Sequence, residues 1–349
     1  MRLLVTGGAG FIGSTFVRRR LAATDDTIVV LDKLTYAGNT ANLDEVTTAA
    51  DTADRVRFVR GDIADPELVG ELVKDVDAVV NFAAESHVDR SILEPAAFLT
   101  TGVQGVHTLL EAVMAAQASR GGAPIRFLQV STDEVYGPVP AGLSVEADAL
   151  RPSSPYSAAK AAGELLAHAY RETHGLDIVI TRGANTYGPH QYPEKLIPLF
   201  ITNAIMDLPL PMYGDGMQRR DWLHVDDHAD GVATVLDRGV AGEAYNVSGE
   251  GVERPNRAVT EAVLAELGKP WSLVRSVPDR PGHDRRYALD GSKLRALGWA
   301  PRTGFDDGIR QTVRWYRDNE AWWRAGRSGD WDDYYQRQYG WRLERSAQA

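Results

Sequence analysis

Through the first third of the chain, short unbroken apolar runs alternate with polar stretches: "RLLVT" at 2–6, "TIVVLD" at 27–32, "VRFVRGDIAD" at 56–65, "DAVVNFAAESH" at 77–87 and "IRFLQVSTDE" at 125–134. The runs at 2–6, 27–32 and 77–87 hold three or four consecutive apolar residues instead of an apolar/polar alternation, the pattern of a parallel strand buried on both faces. Helix-like stretches separate them, the first ending near Ala23. Strand and helix in turn predict a doubly wound parallel α/β sheet of Rossmann type. The stretch "RPSSPYSAAKAAGELLAHAYRETHG", 151–175, predicts one helix with Ser154 as N-cap, Pro155 at its first position and Gly175 just past its end. Beyond about residue 181, "RGANTYGPHQYPEKLIPLF" is rich in turn formers, and short strands then mix with helices. The expectation is a Rossmann domain over 1–180 and a smaller C-terminal α/β domain over 181–349, with an interleaved boundary. The last six residues, "ERSAQA", read as a disordered tail.

Composition narrows the classes of function. The 349 residues are 44% apolar, enough for a sizeable core, and 38 Lys and Arg stand against 48 Asp and Glu for a net charge of −10. That balance argues against nucleic acid or an anionic membrane as partner, so an anionic ligand must be met by local cations. There is no cysteine, which removes disulfides and thiolate metal sites. No apolar run reaches the roughly 18 residues of a membrane span, and no cationic stretch with an apolar core opens the chain. A cytoplasmic protein is expected.

The chemistry begins at "GGAGFIG", 7–13, between the first strand and the first helix. Gly7 permits the tight turn, Gly10 lets the backbone approach a pyrophosphate, Gly13 lets helix and strand pack closely, and the helix N-terminus presents N–H donors. Asp32 ends the second strand about 20 residues on, where a carboxylate accepts from ribose hydroxyls. It favours NAD over NADP, while Lys33 beside it pulls the other way. In a doubly wound sheet ligands lie beyond the carboxyl ends of the strands, so Asp62, Ala83, Glu85 and "STDE" should share one crevice. Asp62 suits an adenine edge or, alternatively, caps the next helix. On the helix after 154, Tyr156 and Lys160 are i and i+4 neighbours. A lysine ammonium and a nicotinamide cation would both favour phenolate, lowering the tyrosine from its ordinary value of about 10 and making it a general base. Thr132 can hold the same substrate hydroxyl. Such pairs arise on helices by chance; the nucleotide fold and "ST" give this one weight. Adjacent Asp133 and Glu134 are a further signature, because crowding raises one carboxyl and keeps it an acid near neutral pH.

The motifs "GGAGFIG", "LDKLTYAGN", "AAESHVDRSI", "STDEVYG", "PYSAAK", "YGPHQYPEKLIP", "RRDWLHVDDHA" and "DRPGHDRRYALD", in this order, are similar to those of the extended short-chain dehydrogenase/reductase family over essentially the whole chain. The acid pair after Thr132 resembles the sugar-nucleotide 4,6-dehydratases within it; the related epimerases and decarboxylases usually lack that pair. The resemblance implies tightly held NAD and a nucleotide-sugar substrate, dTDP-glucose. C4 would be oxidised with Tyr156 as base, water lost from C5 and C6 with Glu134 as base and Asp133 as acid, and hydride returned to C6. It further implies cofactor contacts at Gly7, Gly10, Phe11, Ile12 and Gly13, at Asp32, Lys33 and Thr35, at Asp62 and Ile63, at Ala83 and Ala84, and at Tyr156 and Lys160. Substrate contacts are implied at Ser86, at Asn185 and Arg220 on the diphosphate, at Lys195, Leu196 and Pro198 along the base, and at Arg280 and His283 on the phosphate side. A homodimer through helices near 103–117 and 156–173 is implied as well.

Three positions depart from the family pattern. Gly102 stands where an Asn usually follows Thr101, removing an amide beside the active site. The turn "SGEGVERPN", 248–256, is one residue longer than usual and lacks its asparagine near Gly251 or Val252; it is expected to border the nucleotide, which leaves dTDP and UDP both open. Thr15 follows "GFIGS" on the first helix and changes little. The "HVDDH" stretch spaces His224 and His228 like metal ligands but brings no third ligand, so no metal is expected. The aromatic stretch 315–341 carries Asp330, Asp332 and Asp333, which would repel a polynucleotide, and is expected to pack on the second domain. A non-catalytic NAD-binding protein is the reading from another class; the presence of Thr132, Asp133, Glu134, Tyr156 and Lys160 together argues against it.

Overall fold

The computed structural model describes residues 1–327 and 329–347. Its centre is a seven-stranded parallel sheet of β1 (Arg2–Thr6), β2 (Thr27–Asp32), β3 (Val56–Arg60), β4 (Ala78–Asn81), β5 (Arg126–Thr132), β6 (Ile178–Gly183) and β10 (Ala244–Val247). The order across the sheet is β10-β6-β5-β4-β1-β2-β3. The winding reverses between β1 and β4, opening a crevice beyond their carboxyl ends. β10 lies far along the chain from its neighbour β6, with which it pairs from Ala244↔Ile180 to Val247↔Gly183.

The unbroken apolar strands are explained by cover on both faces. Leu3 and Val5 of β1 pack with Phe16 and Val17 of helix Phe11–Ala23 and with Val232 and Val235 of helix Val225–Arg238. Leu4, pointing the other way, packs with Leu109, Leu110 and Val113 of helix Val106–Ser119. All ten are essentially inaccessible to solvent, which is the arrangement that makes continuous apolar strands stabilising. Helix Pro155–His174 begins and ends where the caps predict: Ser154 and Ser157 form a reciprocal capping box, and Gly175 takes φ +68 at the end.

The remaining strands form two small sheets. β7 (Asn185–Tyr187), β9 (Arg219–His224) and β11 (Glu253–Pro255) make one, and β8 (Leu210–Tyr213) with β12 (Val274–Val277) the other. The late aromatics are packing residues: Trp323 joins Tyr187, Ile197 and Val259, and Trp331 and Tyr339 join Leu199, Phe200 and Met212. Trp322 reaches back to the first layer, where its indole Nε1 donates to Asn42 Oδ1 at 3.0 Å and the Asn42 amide donates to the Ala9 carbonyl at 2.9 Å. The expected disordered tail is corrected up to Ala347, since helix Trp341–Ala347 is formed. Arg342 anchors it, stacking on Trp341 and donating to the Pro278 carbonyl at 3.3 Å. Residues 348 and 349 of that expectation lie outside the described residues. Among the described residues no helix is long and apolar enough to cross a membrane.

Candidate active site

One long cleft follows the carboxyl ends of β1, β2, β4, β5 and β6 and continues between the small sheets. Its first end is made of backbone. Gly7 has φ +67, and a Cβ there would stand 2.6 Å from the Ala83 amide nitrogen; a Cβ on Gly13 would stand 2.3 Å from the Gly7 carbonyl oxygen. The turn is therefore closed to any side chain at both positions. Helix Phe11–Ala23 starts at Gly10 with no side-chain cap, so its first N–H groups face the cleft as an anion site. Asp32 accepts from Ala9 N at 2.9 Å and Leu34 N at 2.8 Å, which fixes its carboxylate at the end of β2 while burial pushes its pKa up. Lys33, Thr35, Ile63, Ala84 and Glu85 line the same end. Lys33 is committed to Asp62 at 2.6 Å, drawing it away from a 2′-phosphate. Asp62 does not cap the next helix; Asp65 does, accepting from Glu67 N and Leu68 N.

At the end of β5 the chain turns into a short 3-10 segment, Asp133–Tyr136, with Thr132 as its N-cap. Asp133 is 5% exposed, and burial followed by the charge of Glu134 pushes its carboxyl up to about 8, against a smaller pull from Arg220. Thr132 Oγ1 donates to Asp133 Oδ1 at 3.1 Å. Glu134 is only half-buried and borders the open cleft. The two side chains thus sit in different environments although adjacent, a way of separating an acid from a base.

Tyr156 and Lys160 come from the first two turns of helix Pro155–His174 and line the cleft opposite Thr132. Here the sequence expectation is corrected. Tyr156 is raised, not lowered: burial dominates, and the charges of Glu134 and Asp133 add to it, with Thr132 opposing. Lys160 Nζ donates to the Val130 carbonyl at 2.5 Å, and burial brings it down to about 8 against the pull of Glu164. An i,i+4 spacing places the pair on one face, but the strand-end carboxylates weigh more on the phenol than the lysine does.

Side chains build the far wall. Arg220 is 5% exposed, donates to the carbonyls of Arg219 and Asp284 at 2.8 Å each, and stacks on Tyr287 at 4.2 Å. A surface ion pair is thereby excluded for it. Arg280 pairs with buried Asp89 at 2.9 Å, leaving its Nε without a partner. Burial would raise Asp89, but Arg280 and His87 bring it down to about 2. His283 holds Asp279 at 2.6 Å and is lowered to about 4 by burial and by Arg280. Lys195 Nζ donates to the Ser86 carbonyl at 2.5 Å, and Asn185 leaves its Oδ1 buried and unpaired in the cleft. Leu196 lines the cleft with Ile197, Leu199 and Phe200, but Pro198 does not. On helix Leu196–Ile205 those four span one face, and Pro198, about 200° from Leu196, points away from it. Sequence reasoning passed over Asp89, Tyr287 and the Arg90–Glu194 ion pair, although all lie inside quoted motifs. Arg90 Nε donates to Glu194 Oε2 at 2.9 Å, and His87 Nε2 contacts the Glu194 carbonyl at 3.0 Å. This fastens 85–90 to 190–195, a pairing invisible without the fold.

Gly102 lies in a wide-turn segment, Thr100–Gly105, against helix Pro155–His174: a Cβ there would stand 3.1 Å from Ala159 Cβ. The position packs against the helix that carries Tyr156 and Lys160. The turn 248–256 is corrected in its role, because only Asn256 of it lines the cleft. Asp221 draws the rest aside, accepting from Gly249 N at 2.7 Å and Gly251 N at 3.3 Å. His224 Nδ1 accepts from Asp226 N as a helix cap, and His228 Nδ1 contacts Thr186 Oγ1 at 2.7 Å.

Comparison with known proteins matches residues 4–312 to the family described as GDP-mannose 4,6 dehydratase. The dTDP-glucose 4,6-dehydratase of Streptomyces niveus is 53% identical over 95% of this chain and 97% of its own. That of Streptomyces antibioticus is 51% identical over 93% and 94%. Among solved structures, DesIV (dTDP-glucose 4,6-dehydratase) from Streptomyces venezuelae with NAD and TYD bound has a TM-score of 0.88 and 52% identity over 93% of this chain and 100% of that one.

Proposed function

The chain belongs to the GDP-mannose 4,6-dehydratase family, and from that premise we propose that it is a lyase converting dTDP-glucose to dTDP-4-keto-6-deoxyglucose with NAD as cofactor. One observation carries the reading above the rest: Asp133, buried beside Glu134, is pushed up to about 8 and so holds a proton at neutral pH. An epimerase has no use for such an acid.

The residues at the backbone end fit NAD. Gly7 and Gly13 keep the turn clear of side chains, the N–H groups from Phe11 to Gly13 meet the pyrophosphate, and Asp32 meets the adenosine ribose. When bound, NAD would supply the acceptor for the C4 hydride and the donor that returns it to C6. Thr132 and Tyr156 hold the C4 hydroxyl, and Tyr156 takes its proton. Protonation of Asp133 removes one of the charges that raise the phenol, and Lys160 one turn on supplies a cation. The 4-ketone acidifies C5–H. Glu134 takes that proton, Asp133 protonates the C6 hydroxyl as the C6–O bond breaks, and water leaves from C5 and C6. Glu134 then returns a proton to C5. Arg220, which donates to carbonyls instead of a carboxylate, is the cation placed for the diphosphate, with Asn185, Arg280 and His283 beside it. Lys195, Leu196 and Phe200 border the base.

A cytoplasmic homodimer belongs to the same reading. It would pair through helices near 103–117 and 156–173, and Leu165, 59% exposed on helix Pro155–His174, supports that reading. The deciding experiment incubates the purified protein with dTDP-glucose in deuterated water, with UDP-glucose in parallel, and reads mass. Loss of water with one deuterium gained from dTDP-glucose alone is expected. If neither sugar nucleotide loses water while NAD is bound, the reading fails.

A further inference from the structure

The imidazole of His228 has no part in the steps above, yet it lines the cleft, and it is 2% exposed. Its Nδ1 lies 2.7 Å from Thr186 Oγ1. With that hydroxyl's proton placed on the Ala184 carbonyl at 3.0 Å, Nδ1 is assigned as the protonated nitrogen, donating to Thr186. Burial lowers the ring to about 4, keeping it neutral at pH 7. Nε2 is then a bare acceptor, and it is buried without a partner. An unmatched acceptor in such a place weakens the fold unless a ligand fills it.

Its position limits the ligand. A Cβ on Gly183 would lie 2.4 Å from Cε1 and 2.7 Å from Nε2 of the ring, so the edge of the imidazole occupies the space a side chain would take at the end of β6. Gly183 is the register partner of Thr132 on β5. The acceptor therefore stands over the strand next to the one whose end carries Thr132, which holds the reacting C4 hydroxyl. Whatever group reaches it must donate a hydrogen bond.

We propose that His228 Nε2 accepts a hydrogen bond from the carboxamide amino group of the nicotinamide ring. The assignment rests on the NAD reading above. The carboxamide is carried on the ring carbon next to the one that exchanges hydride, so its amino group falls close to the reacting centre, and holding it fixes which face of the ring meets the sugar. A sugar hydroxyl is the competing donor, and the test separates the two.

Binding of three probes is compared by calorimetry on protein freed of its resident dinucleotide: NAD, its 3-acetylpyridine analogue, in which a methyl ketone replaces the amide, and ADP-ribose, which lacks the ring. The wild type should bind NAD about 3- to 10-fold more tightly than the analogue, the range of one hydrogen bond. His228→Leu should bind both equally and leave ADP-ribose affinity unchanged, and His228→Gln, which keeps an acceptor, should restore part of the preference. A wild-type ratio of one overturns the assignment without recourse to any variant. So does a ratio that persists in His228→Leu, as a sugar-hydroxyl partner would leave it, or an ADP-ribose affinity that falls in step. If the wild type binds none of the three probes, the cofactor reading itself is lost.

Discussion

The two ends of the cleft are built from different materials. The dinucleotide end is backbone: two glycines that exclude side chains, the first amides of a helix, and one carboxylate immobilised by the amides of Ala9 and Leu34. The sugar end is buried ionisable side chains: the protonated Asp133, Lys160, Arg220 and the Asp89–Arg280 pair. Shape-determined binding should be insensitive to pH and destroyed by one methyl group. Charge-determined chemistry should tolerate isosteric shape and fail when a proton is removed.

The largest effect tests the charged end. Asp133→Asn keeps the shape and removes the acid; elimination should slow by about 10²–10⁴-fold while C4 oxidation persists. Rapid-quench kinetics that show an unaltered elimination rate would remove Asp133 as the acid. Gly13→Val tests the backbone end. Its Cβ would fall 2.3 Å from the Gly7 carbonyl, and dinucleotide content of the purified protein should drop at least about 100-fold, equally at pH 6 and pH 9. Retained NAD would show that the turn relaxes.

A third comparison uses pH. Elimination should fall about tenfold per pH unit above about 8 as Asp133 loses its proton. The same group bears on stability. Its folded pKa is raised from the ordinary 3.8, so the folded chain keeps a proton that the unfolded chain releases; that stabilisation is complete below 3.8 and is lost as pH rises through about 8. Asp133→Asn should therefore melt above the wild type near pH 8, with the gap closing toward pH 4. A constant gap would mean that Asp133 is ionised throughout. The smallest effect is expected at Lys33, which is 55% exposed and paired to Asp62. Lys33→Ala should change NAD affinity by less than about 5-fold, in line with exposed ion pairs, with no gain of NADP binding in a titration.

The same division decides what could be read from the chain. Strands β1 to β5, the glycine turn and the caps of helix Pro155–His174 follow from local periodicity and local backbone rules, and "GGAGFIG" carries its own geometry. Asp133 and Glu134 were legible as a pair because they are adjacent, while the burial that does most to raise Asp133 comes from the fold. Tyr156 was misjudged because burial dominates its environment, with the carboxylates at the end of β5 adding to it, and neither can be read from its helical neighbour. Pro198 failed on helical phase, and Asp89 escaped notice because its partner Arg280 lies 191 residues away. The pairing of β10 with β6 is likewise long-range, with nothing local in "AYNV" to distinguish it from the strands of the smaller sheets.

Trp322 connects the two materials. Through Asn42 its indole is one side chain removed from Ala9, inside the turn that receives the dinucleotide. It also stands 5.0 Å from Trp315 at an interplanar angle of 75°, close enough and tilted enough for the two chromophores to couple. The protein thus carries an intrinsic optical gauge beside the glycine turn. Filling of the dinucleotide end should therefore appear as a change of near-ultraviolet ellipticity without any attached label.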